Sequence, residues 1–285
     1  MTAHALTVDV EDWYHVENLR PVAPASRWES LESRLERGLD PLLALLARRG
    51  VKATFFVLGV AAERTPAAIR AIAASGHEIA SHGWSHELVY RQEPDAFREE
   101  TRRAKAFLEE LCGAKVHGYR ASTFSITARS LWALDVLAEE GFRYDSSIAP
   151  LRHDRYGIPS APTRPHARAV AGGRSIVEFP VSFGSVLGKR VPIGGGFFRL
   201  LPARWTVRSL ERYARDGAPA TLYVHPWEFD PAQPRMTGIG FLRRFRHYVG
   251  LGSSLRKLER VLDAAPFATM AEALGPLLPG SEGPR

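Results

Sequence analysis

Leu-Thr-Val-Asp-Val-Glu-Asp-Trp, residues 6–13, is an apolar, β-branched run that ends in three carboxylates, Asp9, Glu11 and Asp12. A strand end bearing several acids costs folding energy, because like charges repel and carboxylates resist desolvation. A cation placed there removes the penalty. The run therefore reads as a metal or acid/base site at the mouth of a sheet. Strand alternation puts Asp9 and Glu11 on one face, with Val8 and Val10 on the other. Asp12 shares the acids' face only if the strand ends or kinks before it, and its alternative role is a helix or turn cap.

Outward from this run, short β-rich segments alternate with helical patterns. Strands are predicted at Ala5–Val10, Ala53–Leu58, His77–Ser81, Val116–Arg120 and Phe142–Asp145. Between them lie helices predicted over Leu31–Arg48, Pro66–Ala74, Asp95–Leu111 and Thr127–Glu140. Arg48, Arg49 and Gly50 supply a basic last turn and a C′ glycine, and Pro94 and Asp95 a start signal. This βαβα rhythm predicts parallel strands with right-handed crossovers, hence an α/β barrel or a doubly wound sheet. The prolines and glycines of 150–200 predict an irregular, hairpin-bearing insertion with a strand at Ile176–Val181. A helix at Pro202–Arg215 and a strand at Thr221–His225 follow, then helical stretches near 239–248 and 253–264, and a frayed tail at Gly280–Arg285. With no internal repeat or linker, the chain reads as one domain over 1–285.

The chain has 285 residues, 45% hydrophobic and 24% charged, and one cysteine, Cys112. That composition is globular. No apolar run approaches the length of a membrane span. The N-terminus lacks a signal-peptide pattern, and a single cysteine excludes an internal disulfide; together they lead us to expect a cytoplasmic protein. The net charge of +7 is spread over dispersed arginines. Its densest cluster, Arg243, Arg244 and Arg246, sits among Phe241, Phe245 and Tyr248, which suits a sugar or anionic polymer, so no nucleic-acid partner is expected.

The other half of the site lies further on. Ser-His-Gly-Trp-Ser-His (81–86) places His82 and His86 four apart after a strand, so both imidazoles can aim at one point. Two neutral imidazoles and one carboxylate, Glu11 or Asp12, form a three-ligand set for a divalent cation, Zn2+ foremost, with a fourth position for water. Such a cation lowers the pKa of a bound water toward about 7. The remaining acid is then free to act as a base. His225, in His-Pro-Trp-Glu (225–228), ends the last good strand. In a closed barrel it would neighbour Asp9 and donate a proton to a leaving amine. Asp145 also ends a strand and is expected to hold that imidazolium. Arg120, in Gly-Tyr-Arg-Ala-Ser-Thr-Phe (118–124), is expected to pair with the free carboxylate. An ordinary structural ion pair is the alternative for either.

Taken in order, these motifs resemble the polysaccharide deacetylases of the NodB-homology (carbohydrate esterase 4-like) family. More narrowly they resemble the exosortase-associated (XrtA-type) enzymes of exopolysaccharide clusters. The resemblance extends through Tyr-Asp-Ser-Ser-Ile-Ala-Pro (144–150), Ile-Gly-Gly-Gly-Phe-Phe-Arg-Leu-Leu-Pro (193–202) and Arg-Phe-Arg-His-Tyr (244–248). It implies an α/β fold of distorted (β/α)7-barrel type, a single catalytic domain with a helical segment at about 235–265 packed on the barrel, and a metal held by an acid, His82 and His86. It also implies Asp9 as base, His225 as acid, Arg120 as the residue orienting the base and Asp145 as partner of the acid. Two positions depart from the family's pattern: Val10 stands where a second aspartate is usual, and Ser122 where a proline is usual.

The implied reaction is removal of N-acetyl groups from amino sugars of an exopolysaccharide or its lipid-linked precursor, with an oxyanion held by the metal and a backbone N–H after Arg120. Trp13, Trp84, Trp227 and Phe124 are candidates for a sugar-stacking groove, with core packing as their alternative role. The partner is an N-acetylated oligo- or polysaccharide, with peripheral association to a polysaccharide assembly system. Two other activities fit less of the pattern: a small-substrate amidase of the allantoinase-like branch, and a non-catalytic sugar-binding relative.

Overall fold

The computed structural model describes residues 2–278; the tail expected to fray, Gly280–Arg285, lies outside them. The first strand, β1 (His4–Val10), is buried along its whole length, as a strand covered on both faces must be. Leu6, Val8 and Val10 join the core beneath the helices, while Ala5 packs into a second core on the inner side of the sheet with Phe56, Tyr144 and Phe179. The inner side is the one that carries Asp9.

The chain then alternates as its periodicity predicts. Helix α1 (Leu35–Arg49) ends at Gly50, which adopts the left-handed conformation a C′ position needs. Next come β2 (Thr54–Val57), α2 (Gly59–Arg64), α3 (Pro66–Ala74), β3 (Glu78–Ser81) and α4 (Pro94–Cys112). Strand β4 (Gly118–Tyr119), α5 (Trp132–Glu139) and β5 (Tyr144–Asp145) complete the regular half. The insertion supplies β6 (His166–Ala169), β7 (Ser175–Glu178), β8 (Phe183–Val186), β9 (Lys189–Pro192) and α6 (Gly195–Leu200). After it come α7 (Ala203–Arg215), β10 (Thr221–Val224), α8 (Phe241–Tyr248), α9 (Ser254–Ala264), β11 (Phe267–Ala268) and α10 (Met270–Leu274).

Two helices start later than expected. The stretch before α1 is drawn away when the amide of Arg34 donates to Asp12 at 3.0 Å. Ahead of α5, Thr127 and Ser130 close a turn on each other, Thr127 N to Ser130 Oγ at 2.9 Å and Ser130 N to Thr127 O at 3.0 Å.

The main sheet runs β10-β1-β2-β3-β4-β5-β7-β6, with β11 also pairing with β1. From β10 to β7 every neighbouring pair is parallel, and only β6 runs antiparallel. Strands β8 and β9 form a separate hairpin. The result is a mixed α/β fold with a curled half-barrel sheet. The curl stays open, since β6 and β10 stand at opposite ends of the strand order. His225 nevertheless follows the neighbour of β1, because β10 returns to pair with it, Val224 opposite Val8. No helix among the described residues is long and apolar enough to cross a membrane.

Candidate active site

Asp9 leaves β1 almost wholly buried, and Arg120 meets it. The guanidinium is 0% exposed. Its Nη1 donates to Asp9 Oδ1 at 2.7 Å and Thr7 Oγ1 at 2.8 Å, while Nε and Nη2 donate to the carbonyl and hydroxyl of Ser146 at 3.2 and 2.9 Å. The fork also lies 4.1 Å from the ring of Phe56. Such charge-assisted, multiply anchored pairs are rigid. The free oxygen of Asp9, Oδ2, faces His225 Nε2 at 3.9 Å.

Immediately beside this pair, Glu11 Oε1 lies 3.1 Å from His82 Nε2 and 3.0 Å from His86 Nε2. Burial opposes ionisation of Glu11, but His86 and His82 outweigh it and hold the carboxyl well below the usual range. The second nitrogen of His82, Nδ1, is 2.7 Å from the carbonyl of Arg120. A carbonyl only accepts, so Nδ1 carries a proton, which leaves Nε2 as the His82 nitrogen that can turn a lone pair toward a cation beside Glu11. Acceptors facing each other in a buried cluster call for a positive species between them. Two imidazole nitrogens and one carboxylate oxygen, all within 4.8 Å of one another, fit a divalent cation of the zinc type.

Asp12 takes no part in this cluster, contrary to one of the sequence expectations. Its carboxylate accepts from Ser33 Oγ at 2.6 Å and from the amides of Trp13 and Arg34 at 2.9 and 3.0 Å. It is a cap at the approach to α1, and its desolvated carboxyl is pushed upward by burial.

Asp145 also departs from expectation. It accepts from Ser147 Oγ and N at 2.5 and 3.0 Å, and no ion pair joins it to His225 among the described residues. It lies beside Glu178. Burial pushes both carboxyls up, Glu178 well above its usual range with Asp145 adding to the rise.

The partner of His225 is instead Glu228, which motif reading passed over. Its Oε2 lies 3.4 Å from His225 Nδ1 and accepts the His225 amide at 3.0 Å, while Oε1 accepts from Arg199 Nε at 2.7 Å. The signal was present in His-Pro-Trp-Glu. Pro226 opens a helical turn, and a Glu three residues past the cap reaches back to its amide. Burial works against a charged His225, but Glu228 first, then Glu11 and Asp9, overcome it and raise the pKa to about 9.

A cavity of about 560 Å³ opens above these groups, lined by Asp9, Glu11, His86, Phe124, His225 and Trp227 among others. Phe124 and Trp227 thus stand where stacking residues were expected. Trp13 and Trp84 do not. The indole of Trp13 donates to the Glu32 carbonyl at 3.1 Å inside the aromatic core that also backs Trp227, and Trp84 is packed beneath Arg103, whose guanidinium lies 3.5 Å from its ring. Both side chains are buried in packing contacts and line no part of the cavity.

The Arg120 loop folds without the usual proline. Ser122–Phe124 is one tight turn with Thr123 and Phe124 left-handed at φ 55° and 52°, and His86 shares that conformation at φ 58°. Three non-glycine residues in this region at one site are held there by their surroundings. The amide directly after Arg120, that of Ala121, donates to Ser147 Oγ at 2.7 Å, so it is not available for the oxyanion assigned to this stretch.

Residues 33–144 match a family model described as polysaccharide deacetylase, and residues 146–275 match one described as a domain of unknown function, DUF3473. A peptidoglycan deacetylase-like protein of Gibberella zeae is 32% identical over 114 residues, 39% of this chain and 33% of that protein. A chitooligosaccharide deacetylase of Bradyrhizobium sp. is 32% identical over 97 residues, 34% of this chain and 42% of that protein. The chain thus spans less than half the length of these curated relatives. The crystal structure of a candidate polysaccharide deacetylase from Mycobacterium smegmatis shares the fold at a TM-score of 0.61 and 22% identity, covering 100% of this chain and 95% of that one. The family model and the relatives support the polysaccharide deacetylase family of NodB-homology, carbohydrate esterase 4 type.

Proposed function

We propose that this chain is a metal-dependent N-deacetylase acting on amino sugars of a bacterial exopolysaccharide or its lipid-linked precursor. Within the family we assign it to the exosortase-associated branch, working in the cytoplasm beside a polysaccharide assembly system. One observation carries the reading: Asp9 stands between Arg120 and His225, beside the Glu11–His82–His86 cluster, at the floor of a cavity large enough for a sugar.

Glu11, His82 and His86 are the residues that would hold the cation. When bound, a divalent ion supplies Lewis acidity toward the acetyl carbonyl and acidifies water. The chain's own groups do the proton work. Arg120 holds Asp9 in place through Oδ1, and Asp9 takes a proton from the attacking water. His225, kept charged by Glu228, gives its proton to the departing amine as the C–N bond breaks. Water and amide become acetate and a free amine. Phe124 and Trp227 offer apolar surface to the sugar.

Metal analysis combined with acetate release across a panel of N-acetylated oligosaccharides tests the reading. Asp9→Asn should cut turnover roughly 100- to 10,000-fold with metal content intact; near-wild-type acetate release sinks the base assignment. His82→Ala should lose the metal, and lost activity with full zinc retention sinks the ligand assignment.

A further inference from the structure

Helix α8 carries Phe-Leu-Arg-Arg-Phe-Arg over residues 241–246, and every one of those side chains is exposed. Phe241 is 83% exposed, Leu242 57% and Phe245 43%. The sequence pattern singled out this cluster, and the catalytic groups do not use it. The apolar surface continues beyond the helix, since Leu242 and Phe245 share the rim of the active-site cavity with Phe197 and Leu200 of α6. A contiguous apolar patch marks an interaction surface.

Its charge indicates the partner. Arg243, Arg244 and Arg246 form no ion pair among the described residues, so three uncompensated cations alternate with the apolar side chains. The platform is also fixed. Arg199 donates to the carbonyls of Arg246, His247 and Val249 at 2.9, 2.7 and 2.7 Å, and Tyr248 Oη donates to Pro234 O at 2.8 Å. The apolar side chains are therefore presented outward on a pinned base and have no core to fold into. Aromatic and leucine side chains interleaved with arginine on one short, rigid helix match the interface of an anionic bilayer. There the apolar groups enter the headgroup boundary and the guanidinium groups meet phosphate.

We propose that α8 docks this protein on an anionic membrane surface, with the cavity mouth held at the headgroup level. This docking does not depend on the deacetylase chemistry, and its test is separate.

The full chain is mixed with vesicles of phosphatidylcholine alone or of phosphatidylcholine with phosphatidylglycerol, and sedimented. Binding should be confined to the anionic vesicles and should weaken as salt rises. Phe241→Asp and Arg243→Glu should each lower partition about tenfold or more. Neither residue lines the cavity, so acetate release from a soluble N-acetylated oligosaccharide without vesicles should stay at the wild-type rate in both. Equal binding to neutral and anionic vesicles, no binding to either, or undiminished partition of both variants overturns the proposal. So does displacement from vesicles by the uncharged oligosaccharide, which would make α8 a sugar platform. Failure to release acetate from any substrate, with vesicle binding intact, refutes the deacetylase reading and leaves the docking standing.

Discussion

Replacing Glu228 by Gln isolates how the acid is kept charged. His225 must carry a proton to donate one, so the rate should fall as pH rises through its pKa. With the pKa at about 9, roughly nine-tenths of His225 is protonated at pH 8; at the ordinary value of 6.5 only about 3% is, a difference of about thirtyfold. Glu228 leads the charges that overcome burial, and a cation on Glu11 would cancel much of that residue's share, leaving Glu228 more important still. Gln keeps the size of Glu and an acceptor for the His225 amide but removes the leading charge, so the pKa of His225 should fall back toward its ordinary value. The basic limb of kcat/KM should move down by about two pH units or more, so that turnover at pH 8 falls about thirtyfold while turnover near pH 6 changes far less. A pH series of acetate release on metal-loaded protein reads this directly. Arg199→Met serves as control: it also breaks the Arg199–Glu228 pair but leaves the carboxylate facing His225, so its limb should stay or rise. If the limb of Glu228→Gln does not move, or if Arg199→Met shifts it downward by the same amount, Glu228 holds the loop and does not set the charge of His225.

Four other substitutions separate neighbouring roles. Glu11→Gln should abolish metal binding by dialysis and elemental analysis. Asp12→Asn should keep it and lower the melting temperature, with a stability cost of about 1–3 kcal/mol for the weakened cap. Gly38→Ala should destabilise the protein by about 1–3 kcal/mol in thermal unfolding, because an added Cβ would sit 2.0 Å from the backbone carbonyl of Pro226, and it should lower acetate release by displacing the turn after His225. Arg120→Lys should cost about 3–5 kcal/mol in denaturant unfolding and reduce turnover sharply, since a single ammonium cannot span Asp9, Thr7 and Ser146 at once.

Much of the architecture was legible because it rests on period and punctuation. The helix over Pro66–Ala74 is found as read, and the strands before Asp9, His82 and His225 all end near where their polar residues begin. These are local signals. Asp145 was misread because strand-end position says only that a side chain lies near the mouth of the sheet. Its actual neighbour, Glu178, comes from β7, whose pairing with β5 is a long-range fact. The tryptophans failed for a related reason. Trp84 looks like a stacking residue beside His82 and His86, but the left-handed turn at Gly83 and His86 accompanies an indole that lies against Gly59 and not over the cavity.

The crowded acids at 9–12 show where alternation stops being a guide. It holds through Val10, which packs outward with Leu6 and Val8 while Asp9 faces the interior. The amide of Glu11 then donates to the carbonyl of Asp9 at 2.9 Å, a tight γ-type turn that ends the strand. Past it, the amide of Asp12 donates to His15 Nδ1 at 3.0 Å, and its carboxylate accepts from Ser33 and the Arg34 amide at the approach to α1. Burial holds His15 near pKa 3, so it stays neutral and able to accept that amide. One turn thus gives three adjacent carboxylates three environments: Asp9 under a guanidinium, Glu11 among imidazoles, and Asp12 among amides and a hydroxyl. Only the first two open onto the cavity. That division removes the like-charge penalty of the run, because each acid is matched to its own donors or to a cation before it has to face its neighbour.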